Sequence, residues 1–214
     1  MWQFLIAGGP FMIFLVATSI VSVAFMIERG LALRRSKVVP KTLEEAIETC
    51  ETKEDLQNLK LLCQQESSCL GRVTLGAIEH LAWPKADNVD AVETRARHEI
   101  VMLERGLVVL EVIVGIAPLL GLVGTIHGLI TLFGDIGRTG LTDNAVVARG
   151  IAIALNTTLT GLLIAIPTLV AWSYYTKKVE SMAVEMETLL DDFLRRQYRR
   201  KPHTVPSAPQ PAAR

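Results

Sequence analysis

The sequence predicts an all-α, polytopic membrane protein with three transmembrane helices and long helices extending into the cytoplasm. Three observations lead there. Residues 1–27, 112–134 and 150–176 contain no Asp, Glu, Lys or Arg, giving charge-free runs of 27, 23 and 27 residues. All 22 Lys+Arg and 22 Asp+Glu crowd into the rest of a 214-residue chain. Outside the runs apolar residues recur at helical spacing, and no alternating strand pattern appears. A soluble domain keeps a polar face on its helices and does not carry three such runs. The same counts exclude a disordered chain and a secreted disulfide scaffold, and a formal net charge of zero gives no basic surface for nucleic acid.

The first span is placed in 1–27. Gly8-Gly9-Pro10 separates a short interfacial piece, with Trp2 as anchor, from a helix over 11–27. Pro10 suits a helix start, where a missing N–H leaves nothing unpaired. The segment lacks a basic n-region and its apolar run is long for a signal peptide, so it reads as a retained span.

The region 28–111 reads as cytoplasmic and helical throughout. Thr42-Leu43-Glu44-Glu45 and Thr52-Lys53-Glu54-Asp55 match the capping box. Trp83-Pro84 and Asp87-Asn88 read as breaks. From Val89 no proline occurs before Pro118, which predicts one long helix running on into the second span, 112–134. Cys50, Cys63 and Cys69 form no C-x-x-C pair and have no histidine cluster nearby, so they read as reduced thiols on helices and no metal site is expected.

A loop over 135–149 leads to the third span, 150–176, which closes on the interfacial aromatics Trp172, Tyr174 and Tyr175. A helix over 177–201 follows, with Val179, Met182, Met186, Leu189, Leu190 and Phe193 on one face and Glu180, Glu185, Glu187, Asp191 and Asp192 opposite. The Pro/Ala-rich end, 202–214, reads as a disordered tail. Of the Lys and Arg, 12 lie in 29–105, 8 follow the third span, and only Arg138 and Arg149 lie in the 135–149 loop. The positive-inside rule puts the N-terminus and that loop outside and the C-terminus inside.

Spans two and three carry the chemistry. Ala117, Gly121, Gly124 and Gly128 share a helical face, which lets neighbouring helices approach closely in lipid. Thr125 lies eight residues before Phe133, and Thr158 eight residues after Gly150. At 1.5 Å per residue both lie roughly 12 Å below the same surface. Two readings stay open: hydroxyls ringing a polar path, or each hydroxyl bonded to its own i−4 carbonyl. Asn156 and Thr160 stand near Ile153 on one helical face, and interhelical hydrogen bonding is their reading. His127 is the ionisable residue within a span, read as a neutral imidazole between helices and pointing away from Thr125. Glu111 reads as an interfacial charge. No nucleotide-binding loop, nucleophile–base set or other catalytic residue appears, and no cofactor is implied.

The residues A-P-L-L-G-L-V-G-T-I-x-G at 117–128 and G-I-A-x-A-L-x-T-T-x-x-G-L-x-x-A-I-P at 150–167 resemble those of the ExbB/TolQ family of ion-driven motor proteins, more distantly related to MotA. The Gly-Gly-Pro start, the Glu28-Arg29 exit of the first span and the large first cytoplasmic loop fit the same family.

The resemblance implies a bacterial inner-membrane protein that forms a homopentamer around a dimer of an ExbD/TolR-like partner. That partner's single span carries an ion-binding aspartate, and a TonB- or TolA-like protein receives the force. It further implies that Thr125, Thr157 and Thr158 line the path of H⁺ or Na⁺, with polar support from Asn156 and Thr160. Gly121, Gly124, Gly128, Gly161, Pro118 and Pro167 would shape the helix packing. One position departs: where ExbB and TolQ proteins commonly carry glutamate in G-I-A-E-A-L, this chain has Ile153. That leaves the ion-binding charge to the partner, or favours Na⁺ held by hydroxyls and carbonyls. The competing readings are a non-conducting membrane scaffold of the same fold and a TolQ-like role in envelope maintenance.

Overall fold

The computed structural model describes residues 9–140 and 144–200. The expected interfacial N-terminus with Trp2, part of the 135–149 loop and the 202–214 tail lie outside the described residues. Among the described residues the chain is helical, without a strand. The helices are α1 (Gly9–Ala32), α2 (Arg35–Val38), α3 (Lys41–Thr49), α4 (Lys53–Gln65), α5 (Cys69–Glu79), α6 (Lys85–Glu104), α7 (Leu107–Thr139) and α8 (Asn144–Arg200). They fall into two compact units: Met1–Arg34 with Ile100–Ser181, and Arg35–Glu99 with Met182–Arg214.

The first unit holds three helices long and apolar enough to cross a membrane, at Pro10–Ala32, Leu107–Arg138 and within Asn144–Arg199. Its buried cluster takes two residues from each: Met12 and Leu15, Ile113 and Ala117, Ile164 and Ala165. Large apolar side chains such as Ile13, Leu119, Ile130 and Leu163 face outward, as expected where lipid replaces water. Pro118 and Pro167 lie inside α7 and α8 without ending them. Prolines are tolerated in membrane helices because neighbours satisfy the freed backbone groups.

The second unit packs α2 to α5, most of α6 and the last turns of α8. Leu43, Ile47, Leu59, Leu70, Met186 and Phe193 are buried. Met182, Met186, Leu190 and Phe193 form the inward stripe of α8, while Glu187, Asp191 and Asp192 are exposed. Glu185 is half-buried and pairs with Arg35, which also bonds Glu44 at 2.9 Å. Three successive residues near the end of α8 meet carbonyls, two at the end of α3 and one in the turn between α5 and α6. Arg196 donates to the Ile47 carbonyl at 3.1 Å, Gln197 to that of Cys50 at 3.4 Å, and Tyr198 to that of Trp83 at 3.0 Å. The last carbonyls of a helix have no intrahelical donor, so the two contacts at the end of α3 satisfy otherwise open groups.

Local expectations divide. The box at Thr52 forms in both directions: Asp55 N–H donates to Thr52 Oγ1 at 3.1 Å, and Thr52 N–H to Asp55 Oδ2 at 2.8 Å. The box at Thr42 does not form, because α3 already begins at Lys41 after Pro40, leaving Thr42 inside the helix. Asp87-Asn88 does not break the chain but sits in the first turns of α6. Asn88 is fully buried there and donates to the Ala77 carbonyl at 3.1 Å and to Tyr198 Oη at 3.0 Å.

The single helix expected from Val89 through the second span is instead two, separated at Arg105-Gly106. The cause is Arg29. Its Nη1 donates to the Leu103 carbonyl at 3.3 Å, and a Cβ on Gly106 would lie 2.6 Å from its Cζ. Gly106 has ordinary right-handed angles (φ −82°, ψ −15°), so glycine is needed there for space rather than for conformation.

Candidate ion-pathway site

The site grows from the closeness of α7 and α8. A Cβ on Gly121 would lie 2.8 Å from the Thr157 carbonyl oxygen, and one on Gly161 would lie 2.5 Å from the Ala117 carbonyl oxygen. Real Cβ atoms do not sit that close, so only hydrogen at these two positions permits the approach. Gly124 faces the Thr157 side chain and Gly128 faces Ala154. The small-residue face predicted for α7 is therefore the one that meets α8.

That approach brings three hydroxyls together. Thr125 is 8% exposed and Thr157 1%, while Thr158 is half-buried. Thr125 Oγ1 lies 3.2 Å from Thr157 Oγ1 and is also hydrogen-bonded to Thr158 Oγ1. Thr125 reaches the Gly121 carbonyl at 3.1 Å and the Ala154 carbonyl at 3.0 Å. Thr157 reaches the same two carbonyls at 3.1 and 2.8 Å, and Thr158 reaches Gly121 at 3.3 Å. Of the two sequence readings, the bond to an own i−4 carbonyl is met by Thr125. Thr125 meets its own i−4 carbonyl and a carbonyl across the interface, whereas the carbonyl met by Thr158 belongs to the other helix. Each hydroxyl has one proton to give, so the contacts outnumber the protons and some oxygen lone pairs stay open. A compact set of hydroxyl and carbonyl oxygens of this kind suits a hard monovalent cation or a hydrogen-bonded relay.

The other predicted residues take separate places. Thr160 Oγ1 donates to the Asn156 carbonyl at 2.8 Å and lines a cavity shared with α1, not the threonine cluster. Asn156 is half-buried. Ile153 lies on the wall of a different cavity, with His127, Thr131, Asp135 and Thr157. His127 is exposed on α7, and its ring meets Phe11 edge-on at 5.4 Å between centroids. Glu111 is exposed near the start of α7.

One polar contact escaped sequence reasoning. Ser22 and Thr168, both buried, lie 2.6 Å apart and join α1 to α8. The depth arithmetic applied to Thr125 and Thr158 would have found them. Ser22 stands six residues inside Glu28 and Thr168 nine inside Lys177, so their depths differ by only about 5 Å at 1.5 Å per residue.

The family model of the MotA/TolQ/ExbB proton channel family matches residues 65–188, a range that contains the threonine cluster and both span motifs. The chain belongs to the MotA/TolQ/ExbB proton channel family. It is 34% identical over 169 residues to the ExbB-like protein 1 of Synechocystis sp., covering 74% of this chain and 64% of that one. With the biopolymer transport protein ExbB of Helicobacter pylori it shares 37% over 81 residues, 38% of this chain and 56% of the other. With the ExbB-like protein 3 of Synechocystis sp. it shares 30% over 177 residues, covering 76% and 79%. The chain spans less than two thirds of the length of the first two of these relatives. As a MotA/TolQ/ExbB member with three apolar spans, it is a multi-pass membrane protein.

Proposed function

We propose that the chain is the ring-forming stator subunit of an ion-driven motor in a bacterial inner membrane. Five copies surround a dimer of a single-span, ExbD/TolR-like partner, whose intramembrane aspartate takes up and releases H⁺ or Na⁺. The work goes to a TonB- or TolA-like protein acting on the outer membrane. The N-terminus and the α7–α8 loop face the periplasm, in keeping with the basic residues that flank the other ends of the spans.

The observation that carries this reading is the cluster of Thr125, Thr157 and Thr158 at the α7–α8 contact. Intramembrane polar groups are costly and mark ion pathways. With Ile153 where relatives commonly hold glutamate, the cluster contributes oxygens but no carboxylate, and the titrating charge falls to the partner.

The test is ion flux through the native complex in liposomes, in Na⁺ and K⁺ buffers across a range of pH. Thr125→Val and Thr158→Val, isosteric changes that remove the hydroxyls, abolish flux while the ring still assembles. If both variants conduct like the wild type, the pathway assignment is wrong. A complex that assembles and conducts nothing would support the scaffold reading, which the uncharged spans favour.

A further inference from the structure

A cavity of about 300 Å³ lies between the loop-side halves of α7 and α8, lined among others by His127, Thr131, Asp135, Ile153 and Thr157. Its position links two features so far described apart. Thr157 belongs to the threonine cluster, 3.2 Å from Thr125. His127, Thr131 and Asp135 are spaced i, i+4, i+8 along α7, so they form one stripe on one face of that helix. Eight residues at 1.5 Å each carry this stripe roughly 12 Å inward from Asp135. The volume admits several water molecules, and the wall offers imidazole, hydroxyl and carboxylate groups to hold them.

His127 and Asp135 are the titratable groups on that wall. The α8 side presents Gly150, Ile153, Ala154 and Thr157, and α1 brings the Phe11 ring. Among the described residues the other charges at this end are Arg138 and Arg149, both exposed. The Thr131 hydroxyl is turned back onto the His127 carbonyl at 3.0 Å, and the imidazole stands one turn further in along the stripe. An ionisable side chain within a span is a functional group by default.

We propose that this cavity is the loop-side proton entry to the threonine cluster, with His127 as its relay and Asp135 as the acidic group at its mouth. The inference rests on the ion-conducting reading above and narrows the ion to H⁺. A proton from the loop side binds the lone pair of one imidazole nitrogen and gives the imidazolium. Release of a proton to water further in restores the neutral ring. No electron moves and no co-reactant is consumed. Asp135 raises the local concentration of cations at the entrance, an effect that weakens with salt.

The experiment reads proton flux with a trapped pH dye in liposomes holding the native complex, beside labelling of Ile153→Cys by a membrane-impermeant methanethiosulfonate. The expected result has four parts. The wild type conducts protons. His127→Gln lowers flux about a hundredfold, as for loss of a positioned proton-transfer group, and flattens its dependence on pH. Asp135→Asn lowers flux more at low than at high ionic strength. The cysteine at 153 is modified from the loop side, with or without Thr125→Val, so access is read even where flux is lost. A wild-type pH profile in His127→Gln, or a cysteine at 153 that resists the reagent, overturns the inference. So does a wild type that carries Na⁺ and not protons, although the motor reading then stands. If the threonine variants stop flux and His127→Gln does not, the pathway is kept and this entry is rejected. If the wild type carries no ion, both readings fall together.

Discussion

The hydroxyls of Ser22 and Thr168 meet at 2.6 Å inside the membrane unit, one on the first span and one on the third, and both residues are buried. Thr168 keeps a second contact to its own i−4 carbonyl, Ile164, at 2.6 Å. The two ends of the pair therefore differ. Ser22→Ala leaves Thr168 satisfied and costs about 0.6 kcal/mol, the average for an interhelical bond in a membrane. Thr168→Val leaves the Ser22 hydroxyl buried without its partner and costs more, about 1–3 kcal/mol. Denaturant titration of the folded protein in detergent ranks the two, and equal costs would contradict this account.

The α7–α8 contact makes a steric prediction. Gly161→Ala puts a methyl 2.5 Å from the Ala117 carbonyl oxygen, a backbone atom that cannot swing away. It destabilises by about 1–3 kcal/mol and separates the threonines. Gly115→Ala has nothing within 4 Å of the new carbon and serves as the control. It is neutral or stabilises by up to about 1 kcal/mol, from helix propensity. Thermal unfolding in detergent at matched lipid content reads both.

At Gly106 the obstacle is a side chain, so the cost depends on that side chain. Gly106→Ala drives a methyl into the Arg29 guanidinium and costs about 1–3 kcal/mol in the wild type. In an Arg29→Ala background the same change is nearly free. A double-mutant cycle by denaturant unfolding gives a coupling of about 0.5–3 kcal/mol, and additive effects would show that the two residues do not meet.

In the second unit Arg72 Nε donates to Glu99 Oε1 at 2.8 Å, and Glu99 is buried. Hydrogen bonding to Arg72 holds the Glu99 carboxyl below its usual value of 4.5, and burial opposes this only in part. A carboxyl with a depressed folded pKa stabilises fully above 4.5. It loses that contribution as pH falls through the lower folded value. The difference in stability between the wild type and Glu99→Gln, followed from pH 7 down to pH 3, therefore narrows toward the acid end. A constant difference across this range would overturn the assignment.

Burial pushes the thiols of Cys63 and Cys69 up, to about 11 and about 12. The thiolate is the reactive form. Both cysteines therefore resist maleimide at pH 8 while the chain is folded and react at once in denaturing detergent, with mass spectrometry as the readout. This supplies the low background that a cysteine placed at 153 needs.

The spans were legible because lipid leaves no ambiguity: a run without charges and long enough to cross has few other uses. The meeting of Thr125 with Thr158 was legible for a related reason, since two antiparallel helices of fixed rise place equal counts from one surface at equal depth. The breaks were harder. Asn88 looked like a helix breaker because its best partners, the Ala77 carbonyl and Tyr198, lie 11 and 110 residues away. At Gly106 the glycine is a local signal, but its contact with Arg29 lies 77 positions away in the chain and no local pattern contains it. The cavity beside His127 was missed because its far wall belongs to α8, and a single-helix projection shows only that His127 turns away from Thr125.

The surplus of acceptors over protons in the threonine cluster has a consequence for how it responds to charge. Three coupled rotors with more acceptors than protons resemble a fragment of ice. Several proton arrangements share one set of heavy-atom positions, and they interconvert by turning O–H bonds. The net dipole of the cluster can therefore reverse while both helices stand still. From the same heavy-atom positions it can turn oxygen toward a positive charge or hydrogen toward a negative one. A site of this kind is not tuned to one polarity but takes its polarity from the charge beside it.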